Sequence, residues 1–136
     1  MNLALVNVLF AAALFTLTWI VQLVIYPSFG YYSEGNMKRW HRAYTGRITI
    51  IVMPLMVGQL LLTGYLAFAQ TSWSHYVIFA LTVFTWLTTF VFAVPLHASI
   101  DKKSNTKNER QQLMHINWYR TFAWTLLLII SIYNIV

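Results

Sequence analysis

Four histidines are the side chains of this 136-residue sequence best suited to moving a proton near neutral pH, or to binding haem iron, copper or zinc. Three of them sit at the same kind of place. His41 precedes a long apolar run, His97 leaves another in "AVPLHAS", and His115 opens "MHINWYRTFAW" ahead of the last one. If those runs are helices of one bundle, the three imidazoles lie at one end of it, as general bases or as metal ligands in a shared pocket. His75 stands alone at the other end. Arg47 and Arg120 are cations that could stabilise a developing phenolate or other oxyanion. Tyr26, Gln22, Gln59, Asn117 and Trp118 are the polar and aromatic groups that would orient a flat apolar ligand beside them.

Other chemistries drop out by counting. There is no cysteine, so disulfides, thiolate zinc sites, cysteine-held iron–sulfur clusters and thiol catalysis are absent together. The carboxylates are Glu34, Asp101 and Glu109, all in loop-side sequence, which excludes a di-iron centre built on four bundle carboxylates.

The spacing of these residues follows a helix. In the last run His115, Trp118, Tyr119 and Phe122 form one stripe, and Asn117, Arg120, Thr121 and Trp124 form another. The first run carries Phe15, Thr18, Trp19, Gln22 and Tyr26 on one face, and Gln22 is a polar group inside an apolar segment, which belongs in a bundle interior or a wet cavity. Gln59 follows His41 by five helical turns and shares its face. Thr82, Thr85, Thr88 and Thr89 add a weaker signal, since threonine readily bonds its own helix backbone. The expectation is an inner polar track, lined with aromatics and open at the histidine-bearing end, with Pro54 and Gly58 able to kink the second run around it. A belt of Trp118, Tyr119 and Arg120 is also what a membrane interface selects without any chemistry.

The elements that must position these groups are membrane helices. Hydrophobic residues make up 59% of the chain and charged ones 9%, against roughly one quarter charged in soluble domains. Leu3 to Ile25, Ile48 to Ala69 and Tyr76 to Leu96 contain no charge. Each meets the requirement of about 20 apolar residues for crossing a hydrocarbon core. The fourth run, from Thr121, is shorter and must recruit Leu113 to Arg120 with the arginine snorkelling. The sequence therefore predicts an all-α integral membrane four-helix bundle in a single domain, with spans near 3–25, 48–69, 76–96 and 113–134. The first run lacks the basic flank of a cleaved signal, and continuous apolarity argues against alternating barrel strands.

All nine basic residues fall in or beside the first and third loops. The positive-inside rule then places both termini on the non-cytoplasmic side, most naturally across a bacterial inner (plasma) membrane. The net charge of +6 reads as this topology signal plus attraction to anionic lipids of the bilayer, not as a nucleic-acid surface. A homo-oligomer fits so small a bundle, although no GxxxG motif marks a contact face. In the loops, Pro27 is expected to end the first helix and the second to begin near Asn36. Thr106 and Glu109 have capping-box spacing for a fourth helix from about Lys107 to Asn134.

Tyr26-Pro27 after the first run, "KRWHRAYTGR" before the second, "VPLH" at the exit of the third and "HINWYRT" entering the fourth resemble the anthrone-oxygenase-like family of small four-helix membrane proteins. The resemblance covers nearly the whole chain. It implies an activity of the kind assigned to some members, the oxidation of anthrones, which are flat polycyclic phenols, to anthraquinones by molecular oxygen. It also implies a site around His41, Arg47, His97, Asn117 and Arg120. One position departs: members commonly have asparagine where this chain has His97, and a histidine there can bind what an asparagine cannot. The expected function is a membrane oxidoreductase or oxygenase acting on a lipophilic aromatic or quinone-like molecule. A histidine-ligated haem or copper protein is the first alternative, and a non-catalytic membrane subunit the second. Oxygen chemistry on an easily oxidised phenol needs little beyond deprotonation, so a cofactor is not required.

Overall fold

The structure is a computed structural model that describes residues 2–136. It contains four long helical runs and, among the described residues, no strand. We number them α1 (Leu3–Tyr31), α2 (Glu34–Ala69), α3 (Trp73–Lys102) and α4 (Lys107–Tyr133). Each packs against its chain neighbours, and α4 closes the ring against α1, giving an up-down-up-down bundle.

Its surface is inverted relative to a water-soluble bundle. Large apolar side chains such as Leu9, Ile50, Leu61, Phe68 and Ile129 point outward, while Asn7, Gln22, Gln59, Thr85, Asn117 and Thr121 are buried. Water would penalise that arrangement; hydrocarbon requires it, because polar groups there must satisfy one another inside the protein. α1, α2 and α3 are long and apolar enough to cross a membrane, which marks the chain as an integral membrane protein. α4 falls short of the same standard. The reason is its inward stripe, where Asn117, Arg120 and Thr121 displace apolar residues, yet its outward face, with Phe122, Leu126, Ile129 and Ile132, is as apolar as the others.

Two prolines shape the helices without ending them. α1 continues past Pro27 to Tyr31, contrary to the expected stop, and α2 starts at Glu34, two residues earlier than expected. The chain accommodates Pro27 by widening the preceding turn: Val21–Ile25 is π-helical, and the Tyr26 N–H donates to the Val21 carbonyl five residues back. α3 repeats the device at the same offset. Thr88–Ala93 is π-helical, the Val94 N–H reaches the Thr89 carbonyl, and Pro95 follows. A proline lacks the N–H for its i−4 carbonyl and its ring crowds that carbonyl, so a wider turn relieves both problems.

The widening preserves a face. Leu14, Thr18, Gln22 and Tyr26 are all buried, and Thr85, Thr89, Ala93 and His97 follow the same four-residue steps on α3. In a straight α-helix, twelve residues overshoot three turns by about 120°, which would carry Tyr26 and His97 off the interior face. The π turns absorb that drift.

Pro54 lies within α2, which stays α-helical from end to end. Gly58 is a close-approach point instead: a Cβ there would lie 2.6 Å from the Phe10 ring of α1. The loops are latched by ions. Arg110 donates to the Phe29 carbonyl at 3.0 Å and to Glu34 at 3.1 Å, and Thr106 donates to the other Glu34 oxygen at 2.9 Å. Thr106 and Glu109 thus form no capping box, because each side chain has a different partner: Glu34 for the threonine and Lys103 for Glu109.

Two outcomes follow. Gly58→Leu forces α1 away from α2 and should lower stability in detergent by about 1–3 kcal/mol, read as a fall in melting temperature. The Lys103 ammonium, hydrogen-bonded to Glu109, holds that carboxyl below its usual range. The folded value being the lower one, the pair's contribution is fully present above the unfolded carboxylate pKa and is lost as pH falls through the folded value. Amide protection in the first turn of α4 should hold from neutrality to about pH 5 and decline only in stronger acid, a decline that Glu109→Gln removes.

Candidate functional site

The site lies where the ends of α1 and α3 meet the starts of α2 and α4. His41, on the second turn of α2, is fully buried under the edge of the Phe29 ring. Its Nδ1 lies 2.9 Å from Asp101 Oδ1 and its Nε2 lies 2.8 Å from His97 Nδ1. A carboxylate accepts and does not donate, so His41 carries its proton on Nδ1 and donates it to Asp101. With a neutral His41, its Nε2 then accepts from His97 Nδ1–H. This leaves His97 Nε2 as a lone pair on the far side of the ring, with only a long 3.5 Å contact to the Tyr26 hydroxyl. His97 and Asp101 are one helical turn apart on α3, which is how both reach the same histidine.

Tyr26 and His97 form part of the wall of a cavity of about 320 Å³. Its inner reach is lined by Leu14, Val52, Met56 and Phe90, and its loop-side end by Tyr26, Tyr44, His97, Asn117 and Arg120. The lining on α2 runs from Tyr44 to Met56, about 18 Å along the helix axis. The space is therefore elongated, apolar at depth and polar at one end.

Arg120 supplies the charge at that end. It is half-buried, donates to Asn117 Oδ1 at 3.2 Å, and its Nε is buried without a partner. No carboxylate lies within ion-pair distance of it among the described residues. Asn117 is itself fixed by donating to Gln22 Oε1 at 2.9 Å and, more weakly, toward Thr121 at 3.4 Å. The guanidinium is thus held in place by a neutral network, with its charge unanswered and facing the cavity.

The sequence-derived site residues divide accordingly. His41, His97, Tyr26, Gln22, Asn117 and Arg120 come together. His115 does not: on α4 it belongs to the outward stripe, is exposed, and lies in a shallow groove with Pro95 and Gln112. Arg47 is exposed on α2 and makes no ion pair among the described residues. Trp118 packs edge-on against Trp19 and stacks on Phe122 in an outer seam between α1 and α4, away from the cavity. Gln59 shares the His41 face, as its spacing implies, but lies roughly 27 Å further along the helix. There it donates to Asn7, which donates to Ser131, in a separate buried network. Ala11, Leu14, Met56, Trp124 and Leu127 fill the layer between the two networks, so the polar track is interrupted.

The three-histidine metal set is not formed. No group of three metal-ligating side chains is assembled among the described residues, and three of the four ring nitrogens of His41 and His97 are held by short hydrogen bonds within the protein, the fourth facing the Tyr26 hydroxyl at 3.5 Å. The remaining donor, His97 Nε2, is better placed to take a proton than to hold haem iron or copper alone. Asp101 and Tyr44 are the site residues that sequence reasoning missed. Asp101 was legible as the i+4 neighbour of His97, once α3 is allowed to run past Leu96.

Compared with family models, with curated proteins and with solved structures, the chain finds no match in any of the three.

Arg120→Met tests the electrostatic reading. The change leaves Asn117 Oδ1 without its donor, at a cost of about 1 kcal/mol, but removes a cation that no carboxylate answers. The variant should melt no lower than the wild type in detergent. A clear drop in melting temperature would mean that the guanidinium serves packing.

Proposed function

We propose that the chain is a membrane oxidoreductase of oxygenase type, which binds a lipophilic phenolic or quinone-like molecule in this cavity and abstracts a proton from it. The observation that carries the reading is the pairing of an unanswered guanidinium, Arg120, with an imidazole lone pair, His97 Nε2, met only by the Tyr26 hydroxyl at 3.5 Å, at the polar end of one apolar cavity. A base and a cation so arranged favour a ligand whose hydroxyl or enol ionises, because the proton goes to His97 while the oxyanion is left beside Arg120. The apolar depth accepts a flat hydrocarbon framework arriving from the bilayer.

The anthrone-oxygenase-like resemblance of the motifs supplies the substrate class. In an anthrone, loss of one proton gives an enolate, and the electron-rich ring carbon opposite the oxyanion is the one that reacts with oxygen. The balance is one anthrone and one O₂ to one anthraquinone and one water. The methylene carbon becomes a carbonyl, one oxygen atom stays on it and the other leaves as water. Tyr26 and Tyr44 flank the polar end and can position the ligand oxygen.

In this reading α4 is a fourth crossing, its apolar outer face in lipid and its polar stripe turned to the cavity. The basic loops lie on the cytoplasmic side, against anionic lipid, with both termini outside a bacterial inner membrane. The site opens near the inner leaflet.

Purified protein in detergent, given anthrone and air, should consume oxygen and form the anthraquinone absorbance faster than detergent alone. His97→Ala should lose about 10²-fold or more of that excess, as expected for removal of a general base. His115→Ala and Arg47→Ala should retain it. Turnover that survives His97→Ala would refute the assignment of the base.

A further inference from the structure

We propose that His97, His41 and Asp101 form a proton relay between the buried cavity and the water at the loop face, with Asp101 as its outer terminus. The proposal rests on the reading of the cavity as the place where a ligand is ionised, and it adds where the proton goes.

A proton held on His97 while the ligand reacts would put a second cation next to Arg120 in a desolvated space, so a path that carries it out to water and back favours ionisation of the ligand. His97 has an exit already made. Its Nδ1–H donates to His41 Nε2 at 2.8 Å, and His41 Nδ1–H donates to Asp101 Oδ1 at 2.9 Å. His41 has no exposed surface, so water does not reach the middle of this path. The Asp101 side chain is 33% exposed, so the end of the path is wet. Arg42, itself exposed, lies 3.5 Å from the carboxylate and donates to the Asp101 backbone carbonyl at 3.1 Å, fixing the terminus at the surface. The other groups facing the relay are Tyr26 and Phe29 from α1, Tyr44 from α2 and Arg120 from α4.

The transfers balance. The ligand proton bonds to His97 Nε2; the proton on His97 Nδ1 passes to His41 Nε2; the proton on His41 Nδ1 passes to Asp101, which exchanges it with water. Both rings then carry their proton on Nε2 and the relay is spent. In the oxygenation proposed above, the reduced oxygen must take up a proton before it leaves as water. Running the same three transfers backward supplies it and restores both rings to their starting tautomers. The relay therefore lends a proton to the surface and recovers it once per turnover, with no ring rotation.

Two measurements test this. In lipid vesicles, ¹⁵N-histidine NMR of the ligand-free protein should show both His41 and His97 protonated on Nδ1. Asp101→Leu, which removes the acceptor, should abolish that preference at His41 and also at His97, whose hydrogen bond is to His41. An Nε2–H tautomer at either ring of the wild type, or a His97 signal indifferent to Asp101→Leu, overturns the relay. The second measurement uses anthrone without oxygen, so that only ionisation occurs, followed by the enolate absorbance after rapid mixing. Asp101→Asn keeps an acceptor for His41 but cannot take its proton. It should bind anthrone as the wild type does and ionise it about 100-fold more slowly, in the range of a lost general base. His41→Phe should behave alike where it folds. Wild-type ionisation rates in Asp101→Asn overturn the relay. If the NMR result is as expected and the wild type does not ionise anthrone, the substrate reading fails and the ordered relay stands for a different acidic ligand.

Discussion

The hydrogen bond between His41 Nε2 and His97 Nδ1 is the interaction on which the site depends, because it fixes what every neighbouring group can do. It joins α2 to α3 through a fully buried His41, where low polarity strengthens it. Asp101 orients it from the loop side, and that orientation is transmitted through two rings to a lone pair in the cavity. Removing any one member leaves a buried imidazole nitrogen unsatisfied, which costs more than the net worth of one hydrogen bond. The same bond that stabilises the bundle end thus fixes its chemistry.

That bond depends on α3 being wound slightly wide, as the place of Tyr26 beside it depends on the same device in α1. The four-residue steps that bring Tyr26 and His97 to the interior are incompatible with 3.6 residues per turn over twelve residues. Each π turn ends immediately before an X-Pro pair, Tyr26-Pro27 and Val94-Pro95, so the cause is written next to the effect. Replacing either proline would remove the penalty on a regular α turn and release the inward side chain from its place. The short "YP" and "VP" motifs therefore specify a local helix geometry, and through it two of the groups at the polar end of the cavity.

The helical bundle and its membrane character were legible because uncharged runs of about 20 residues have few physical alternatives. The pairing of His41 with His97, and of Gln22 with the Asn117–Arg120 stripe, was half legible: each residue could be placed on a face, but which faces meet depends on packing. α4 shows the difficulty. Its two polar stripes are offset by two residues, about 160° around the helix, and equally plausible by periodicity, and only the burial of Asn117, Thr121 and Trp124 selects one, sending His115 and Trp118 outward. Gln59 failed for another reason. Sharing a helical face with His41 says nothing of depth, and 18 residues of rise carried it to a different network. Apolarity ends the third segment at Leu96 and so hides Asp101, although α3 continues to Lys102.

The departure at position 97 acquires a physical meaning from this geometry. Under the proposed anthrone-oxygenase-like reading, asparagine is the common residue there. An asparagine amide can donate one hydrogen bond to His41 and accept another from a ligand, so it would keep the shape of the contact. It cannot carry a proton from one side to the other, because its nitrogen and oxygen do not exchange roles on the way. A chain with asparagine at that place must leave deprotonation to His41 directly or to solvent. On the proposed reading, His97 advances the base by one ring toward the ligand, and the Asp101 carboxylate that balances it stays at the surface, where its charge costs little. On the same proposed reading, the arrangement separates the group that would meet an apolar ligand from the group that meets water, which is what a membrane site needs when its substrate arrives from lipid and its proton cannot.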